Sequence, residues 1–205
     1  MASPVVGVFI HKKTLHTNDK SYIGVTTWIR DLFDMSCRRI SPYVARLGNV
    51  LHKDIEYYYK QKLVSNDTIE FQHFLQFVRD HPHLTPLEPE KPVFSESLKW
   101  RGIIDMIFCD ENEQYWIYDW KRSREITMDE VFPDELSKLE FSLYNSYVLQ
   151  LNLYRIILEE EYDMNIQGMI LVLFHPRNEM YQTIELPRLT KQIECDLLNL
   201  RLNQI

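Results

Sequence analysis

Cysteine is scarce and unpaired in this chain: Cys37, Cys109 and Cys195 lie far apart and form no CxxC. Such spacing encodes neither a local disulfide framework nor a zinc knuckle, and it predicts three reduced, mostly buried thiols. Long apolar runs are missing too, so no segment is expected to span a bilayer. The first residues, MASPVVGVFIHKK, place their basic residues after a short apolar run, the reverse of signal-peptide order. The chain therefore reads as soluble and intracellular. A surplus of positive charge is also lacking: the net charge is −7 and the pI near 5.5. That balance argues against a protein that coats nucleic acid through a general positive field. Neither an internal repeat nor a low-complexity tract interrupts the sequence.

What is present is ordinary for a globular protein, and 205 residues with 45% apolar content suffice for a real core. Residues 1–205 read as one domain, with a helical N-terminal part over about 26–80 and a core over about 91–195. The charge is distributed unevenly. Residues 1–103 carry 14 basic and 11 acidic side chains, residues 104–205 carry 9 and 19. A nucleic-acid groove would thus draw on the first half together with the local cluster Lys121, Arg122 and Arg124.

TTWIRDLFDMSCRRI has helical spacing, with Thr27 as its expected N-cap. Pro42 opens a longer helix whose expected buried stripe is Val44, Leu47, Leu51 and Ile55. Gly48 inside it suggests close packing. Asp67 is the expected cap of a third helix ending near Arg79. HPHLTPLEPEKP, with four prolines, reads as a loop. Three strands follow in meander order, Val93–Ser97, Arg101–Cys109 and Gln114–Lys121. After an acidic loop around Thr127–Glu135, SKLEFSLYNSYVLQLNLYRIILEEEY predicts a long helix, GMILVLFHP a buried strand, MYQTIEL a neighbouring strand and LTKQIECDLLNLRL a closing helix. The order implies an α/β fold with some α+β character: a mixed sheet of about five strands flanked by helices.

Within this plan one hairpin carries chemistry. A three-residue turn at Glu111–Glu113 sets Asp105 opposite Asp119, and directly opposed carboxylates call for a compensating cation. Magnesium commonly binds through one or two carboxylates plus substrate phosphate. Lys121 shares a face with Asp119 and could orient or deprotonate a nucleophile, or stabilise a pentavalent phosphate; a structural counter-ion role toward Asp119 is compatible with these. His52 and Glu56 lie at i and i+4 of the second helix, and a neutral imidazole can complete a metal shell. A satisfied core histidine is the other reading. Gln150 and Tyr154, again at i and i+4, can donate hydrogen bonds to phosphate. Glu96 on the first strand could stand at the site's edge or simply on the surface. Arg122 and Arg124 leave the site directly and could meet a phosphate backbone.

Taken together, His52, Glu96, Gly102-Ile103-Ile104-Asp105, Asp119-Trp120-Lys121 and Gln150 with Tyr154 resemble the PD-(D/E)XK nuclease superfamily, in particular its RecB-like branch. TTWI, the GNVLHKDIE run, QLNLYRIILEEEY and the later HP look similar to compact nucleases of large DNA viruses and phages. The resemblance spans roughly residues 26–195. It implies a restriction-endonuclease-like core with His52, Asp105, Asp119 and the main-chain carbonyl of Trp120 as ligands of Mg2+ or Mn2+. Lys121 would be the catalytic lysine, Gln150 and Tyr154 would support the site and the strand, and Glu96 would act at its edge. No iron-sulfur cluster is expected, since three scattered cysteines do not supply four ligands.

The function so implied is a metal-dependent deoxyribonuclease, an exonuclease acting on DNA ends or single strands in replication, recombination or repair. Without a helicase motif, any unwinding falls to a helicase or recombination partner. No membrane partner is expected. The alternative is a catalytically inactive nucleic-acid-binding or assembly module with the same fold, against which the intact Asp105, Asp119 and Lys121 argue.

Overall fold

The computed structural model describes residues 21–34, 41–128 and 132–205. The N-terminal apolar run, Cys37 and the middle of the acidic loop lie outside these residues. The elements run β1 (Ile23–Gly24), α1 (Val25–Leu32), α2 (Pro42–Tyr59), α3 (Ile69–Asp80), β2 (Thr85–Ser95), β3 (Trp100–Cys109), β4 (Tyr115–Lys121), a 3-10 turn (Leu136–Lys138), α4 (Leu143–Glu161), β5 (Ile166–Leu173), β6 (Gln182–Glu185) and α5 (Lys191–Leu202). Six strands form one mixed sheet in the order β1-β3-β4-β5-β6, with β2 along the other side of β3. β3 and β4 are an antiparallel hairpin; β4 and β5 are parallel, joined by the crossover helix α4. The expected mixed sheet with flanking helices is present, and the two-residue β1 adds a sixth strand to the five anticipated.

Alternation along the strands builds two cores. Ile107, Ile117, Met169, Leu171 and Leu173 face α1, α4 and α5, whereas Met106, Phe108, Tyr118, Trp120 and Val172 face α2 and α3. By the same alternation Asp119 and Lys121 point to the α4 side.

Several local expectations are corrected. The proline-rich stretch is mostly strand: β2 starts at Thr85 and runs through Pro86, Pro89 and Pro92. A proline removes a ladder donor, but β2 is an edge strand whose outward N–H groups have no ladder to join. In α2, Pro42 takes the first turn as predicted, and Leu51 and Ile55 are buried. Val44, however, is 42% exposed and Leu47 half-buried, so the first turns of α2 stand clear of the sheet. A Cβ on Gly48 would meet nothing within 4 Å, and the close packing inferred from it does not occur. α1 starts after Gly24, not at Thr27. Thr68, not Asp67, caps α3 by accepting Phe71 N–H at 3.4 Å. α4 starts later than its periodicity suggests, where Ser142 accepts Asn145 N–H at 2.9 Å. Cys109 is half-buried and Cys195 exposed. Among the described residues no helix is long and apolar enough to cross a membrane.

Candidate active site

The β3–β4 hairpin turns through Glu111–Glu113, as its sequence predicts. Asp110 N–H donates to Gln114 O at 3.0 Å, and Glu113 adopts the left-handed φ of 60° that closes a three-residue loop. The Asp110 carboxylate accepts the N–H groups of Asn112 at 2.8 Å and Gln114 at 2.9 Å and the Trp116 indole at 3.0 Å. These bonds, that of Gln114 foremost, hold Asp110 below the usual carboxylate range. The turn fixes the register: Cys109 pairs with Tyr115, Phe108 with Trp116, Ile107 with Ile117 and Met106 with Tyr118. The next step sets Asp105 against Asp119, and there the ladder stops.

Beyond that point the strands part. β4 continues beside β5 as far as Lys121 and Leu173. β3 continues beside β2, and its inner edge is next occupied by β1, at Trp100 and Arg101. Trp120 N–H faces the gap, and Asp105 Oδ2 accepts it at 2.8 Å. In a strand the N–H and C=O of one residue point the same way, so the Trp120 carbonyl faces the gap as well. Its indole lies on the opposite face, with ring centroids 6.2 Å from Phe74, 5.5 Å from Phe77 and 6.0 Å from Phe174. That aromatic packing anchors the strand end that carries Asp119 and Lys121.

Both helix layers reach the gap. Leu51 and Ile55 seat α2 in its core, and His52 between them brings Nδ1 to 3.4 Å from Asp105 Oδ2 and 3.7 Å from Glu90 Oε1. One ligand atom from each of His52, Glu90 and Asp105 lies within 4.8 Å of the others. Glu90 sits between the pairs Pro89–Met106 and Lys91–Ile104 with a left-handed φ of 52°, a strained backbone for a residue with a side chain. From the other layer, Gln150 Nε2 donates to Asp119 Oδ1 at 3.3 Å, while Asp119 Oδ2 lies 2.5 Å from Lys121 Nζ. Lys121 Nζ also stands 4.7 Å from the ring centroid of Tyr147. Tyr154 lies against Gly102, where a Cβ would come within 2.4 Å of its Cε1. Glycine is the residue that permits that approach. Tyr147, Gln150 and Tyr154 are spaced i, i+3 and i+7 and share one face of α4.

The electrostatics are those of a site short of positive charge. Burial pushes Asp119 up to about 6, and the Asp105 charge adds to this while Lys121 opposes it. Burial opposes ionisation of Asp105 as well, but His52, Lys121 and the Trp120 N–H together hold its carboxyl below the ordinary range. For His52, burial works against protonation, yet Asp105 and Glu90 raise it to about 10. Burial likewise disfavours the charge on Lys121, and Asp119 and Asp105 outweigh it, raising its affinity for the proton. Three carboxylates thus face two cations, and the remaining negative charge sits among oxygen and imidazole donors that suit a divalent ion.

Of the residues singled out from sequence, His52, Asp105, Asp119, Lys121, Gln150, Tyr154 and the Trp120 backbone converge on the gap. Glu96 does not: it is exposed in the turn after β2, six residues and roughly 20 Å along the chain from Glu90. There its N–H donates to Glu161 at 2.8 Å. Arg122 is bound to Glu70 of α3, with Nε and a terminal nitrogen each 2.7 Å from Oε1. Arg124 is exposed on the segment beyond. Sequence reading missed Glu90 and Tyr147. Glu90 lies in the proline-rich stretch that reads as a loop, and Tyr147 stands among apolar residues of a helix, where a tyrosine carries no separate signal.

The model of the PD-(D/E)XK nuclease superfamily matches residues 37–196, a span that contains every residue lining the gap. The chain belongs to the PD-(D/E)XK nuclease superfamily. Nucleases of this superfamily use divalent metal ions, and the donor set of His52, Glu90 and Asp105 fits one. Solved structures to which the chain is similar include that titled SSO0001, at 16% identity and TM-score 0.43 over 92% of this chain and 78% of that one. An alkaline exonuclease (LHK-Exo) from Laribacter hongkongensis is 8% identical at TM-score 0.42, covering 90% and 85%. A repair endonuclease from Pyrococcus abyssi is 19% identical at TM-score 0.32, covering 66% of this chain and 46% of that one. No curated protein sequence matches.

Proposed function

We propose that this nuclease is a magnesium- or manganese-dependent deoxyribonuclease of the RecB-like branch, an exonuclease acting on DNA ends or single strands. The reading rests above all on one observation: Asp105, Asp119 and Lys121 meet where β3 and β4 separate, with His52 arriving from one helix layer and Gln150 from the other. In this reading residues 1–205 act as a single domain whose site takes His52 from the helical part and its other residues from Glu90 onward.

His52, Glu90, Asp105, Asp119 and the Trp120 carbonyl would hold the ion. A divalent ion supplies neutralisation of the phosphate and a lowered pKa for water. The chain's own groups do the rest. Lys121, its proton affinity raised by Asp119 and Asp105, stays an ammonium and stabilises the charge that grows on the attacked phosphate. Gln150 holds Asp119 Oδ1 while Lys121 lies against Oδ2, and the two together orient the carboxylate that would face the ion. Tyr154, pressed on Gly102, fixes the wall past which the strand enters. The biological setting in this proposal is DNA replication, recombination or repair, in a phage or large DNA virus, beside a helicase partner.

The deciding experiment uses linear and circular, single- and double-stranded DNA labelled at either end. Purified protein is expected to shorten linear DNA with magnesium, to stop with EDTA and to spare circles. Unchanged cleavage by Asp119→Ala or Lys121→Ala would overturn the assignment of residues, and cleavage of circles would overturn the exonuclease.

A further inference from the structure

Directly beyond Lys121 lies a cationic edge that the chemistry at the gap does not use. β4 and β5 are parallel and end together, with Phe174 N–H donating to Lys121 O at 2.9 Å. The segments that follow are tied to one another. Asn178 Nδ2 donates to Arg124 O at 2.9 Å, and Arg177 N–H donates to His175 Nδ1 at 3.2 Å. Arg122 is neutralised by Glu70, but Arg124 and Arg177 are exposed and have no carboxylate partner among the described residues. His175 is half-buried beside Arg177; burial first, then Arg122, lowers its proton affinity, with Glu70 opposing and Arg177 and Arg124 adding to the fall. The bond from Arg177 leaves the neutral ring with its proton on Nε2, a donor.

This gathering stands out in residues 104–205, which hold 9 basic side chains in all against 19 acidic ones. Lys138, Arg155 and Arg188 there each pair with a glutamate. Arg124 and Arg177 stand on segments joined by the Asn178 bond, both exposed and without a carboxylate partner among the described residues, an arrangement that suits an external anion. The place is the carboxyl end of parallel strands, where open sheets receive ligands. Arg124 lies three residues from Lys121, within roughly 11 Å along the chain.

We propose that Arg124, Arg177 and His175 form a subsite for a non-scissile phosphate of the DNA strand, next to the phosphate that is cleaved. Guanidinium forks suit a phosphate through paired N–H groups, and the imidazole adds a third donor. The subsite rests on the nuclease reading for its substrate, but it can be tested without turnover.

Binding of a fluorescein-labelled single strand in EDTA is measured across a range of NaCl for wild type, Arg124→Gln/Arg177→Gln and, as a charge control, Lys191→Gln on α5. Loss of one phosphate contact on a single strand should lower the slope of log K against log salt by about 0.7. Affinity at low salt should fall on the order of tenfold, with the control unchanged. With magnesium, the double variant should show a raised KM and little change in kcat. A wild-type slope in the double variant, or a loss of affinity without a change in slope, would overturn the subsite. Wild type that binds with the expected slope difference yet never cleaves would overturn the nuclease reading and leave the subsite standing.

Discussion

His52 Nδ1 lies 3.4 Å from the same Asp105 oxygen that accepts Trp120 N–H at 2.8 Å. One carboxylate therefore ties α2 to the open ends of β3 and β4. Without an ion, the protonated imidazole is part of that tie. Its folded value of about 10 lies above the ordinary 6.5, so its stabilisation is complete below 6.5 and is lost as pH rises through about 10. In EDTA, the difference in Tm between wild type and His52→Gln should narrow as pH is raised over that window, followed by circular dichroism. A difference that widens would contradict the pairing.

Adding magnesium or manganese should raise Tm, because an ion bound by the folded state alone contributes about 2.7 kcal/mol at a hundred times its Kd. Asp105→Asn and Asp119→Asn should each lose most of that rise. The check is a thermal melt with and without the ion, and an undiminished rise in both variants would place the ion elsewhere.

Lys121 and Asp119 touch, yet their removal should be distinguishable. Lys121→Ala is expected to lower kcat by about 10²–10⁴ while keeping the ion-induced rise in Tm. Asp119→Ala should lose both. Single-turnover cleavage and melting curves on the same preparations decide the matter.

Tyr147 offers Lys121 an aromatic face at 4.7 Å. A cation–π contact of this kind contributes about 0.5–2 kcal/mol, so Tyr147→Leu should cost up to roughly thirtyfold in kcat. Tyr147→Phe, which keeps the ring, should stay within about twofold. Equal losses in both would assign the effect to the hydroxyl instead.

Gly102→Ala drives a methyl group into the Tyr154 ring. The expected cost is about 1–3 kcal/mol of stability, read by urea unfolding. In a Tyr154→Ala background the same substitution should cost little, since the two residues share one space.

The hairpin was legible because each level agreed. Alternating apolar residues and a short polar turn specify one register, which Asp110 holds in the structure. His52, Gln150 and Tyr154 were found because helical spacing sets each on a definite face. The failures share a cause in tertiary context. Prolines at 86, 89 and 92 read locally as a loop, and only the edge position of β2 makes them compatible with a strand. With the first strand expected at Val93–Ser97, Glu90 falls outside the sheet, whereas β2 begins at Thr85 and includes it. The stripe in α2 predicted burial for Val44 as well as Ile55, but periodicity does not say how far a sheet extends beneath a helix. Arg122 was read as a groove residue, and nothing local announces Glu70, 52 positions earlier, as its partner.

The edges of the sheet also bear on how this molecule assembles. β2 presents prolines along one border, and β6, four residues long and soon followed by Pro187, forms the other. Neither border is a good template for a strand from a second protein, so lateral sheet-to-sheet association is disfavoured on both sides. Among the described residues, copies or partners are directed to helices and loops, clear of the interior breach between β3 and β4 where the candidate site lies.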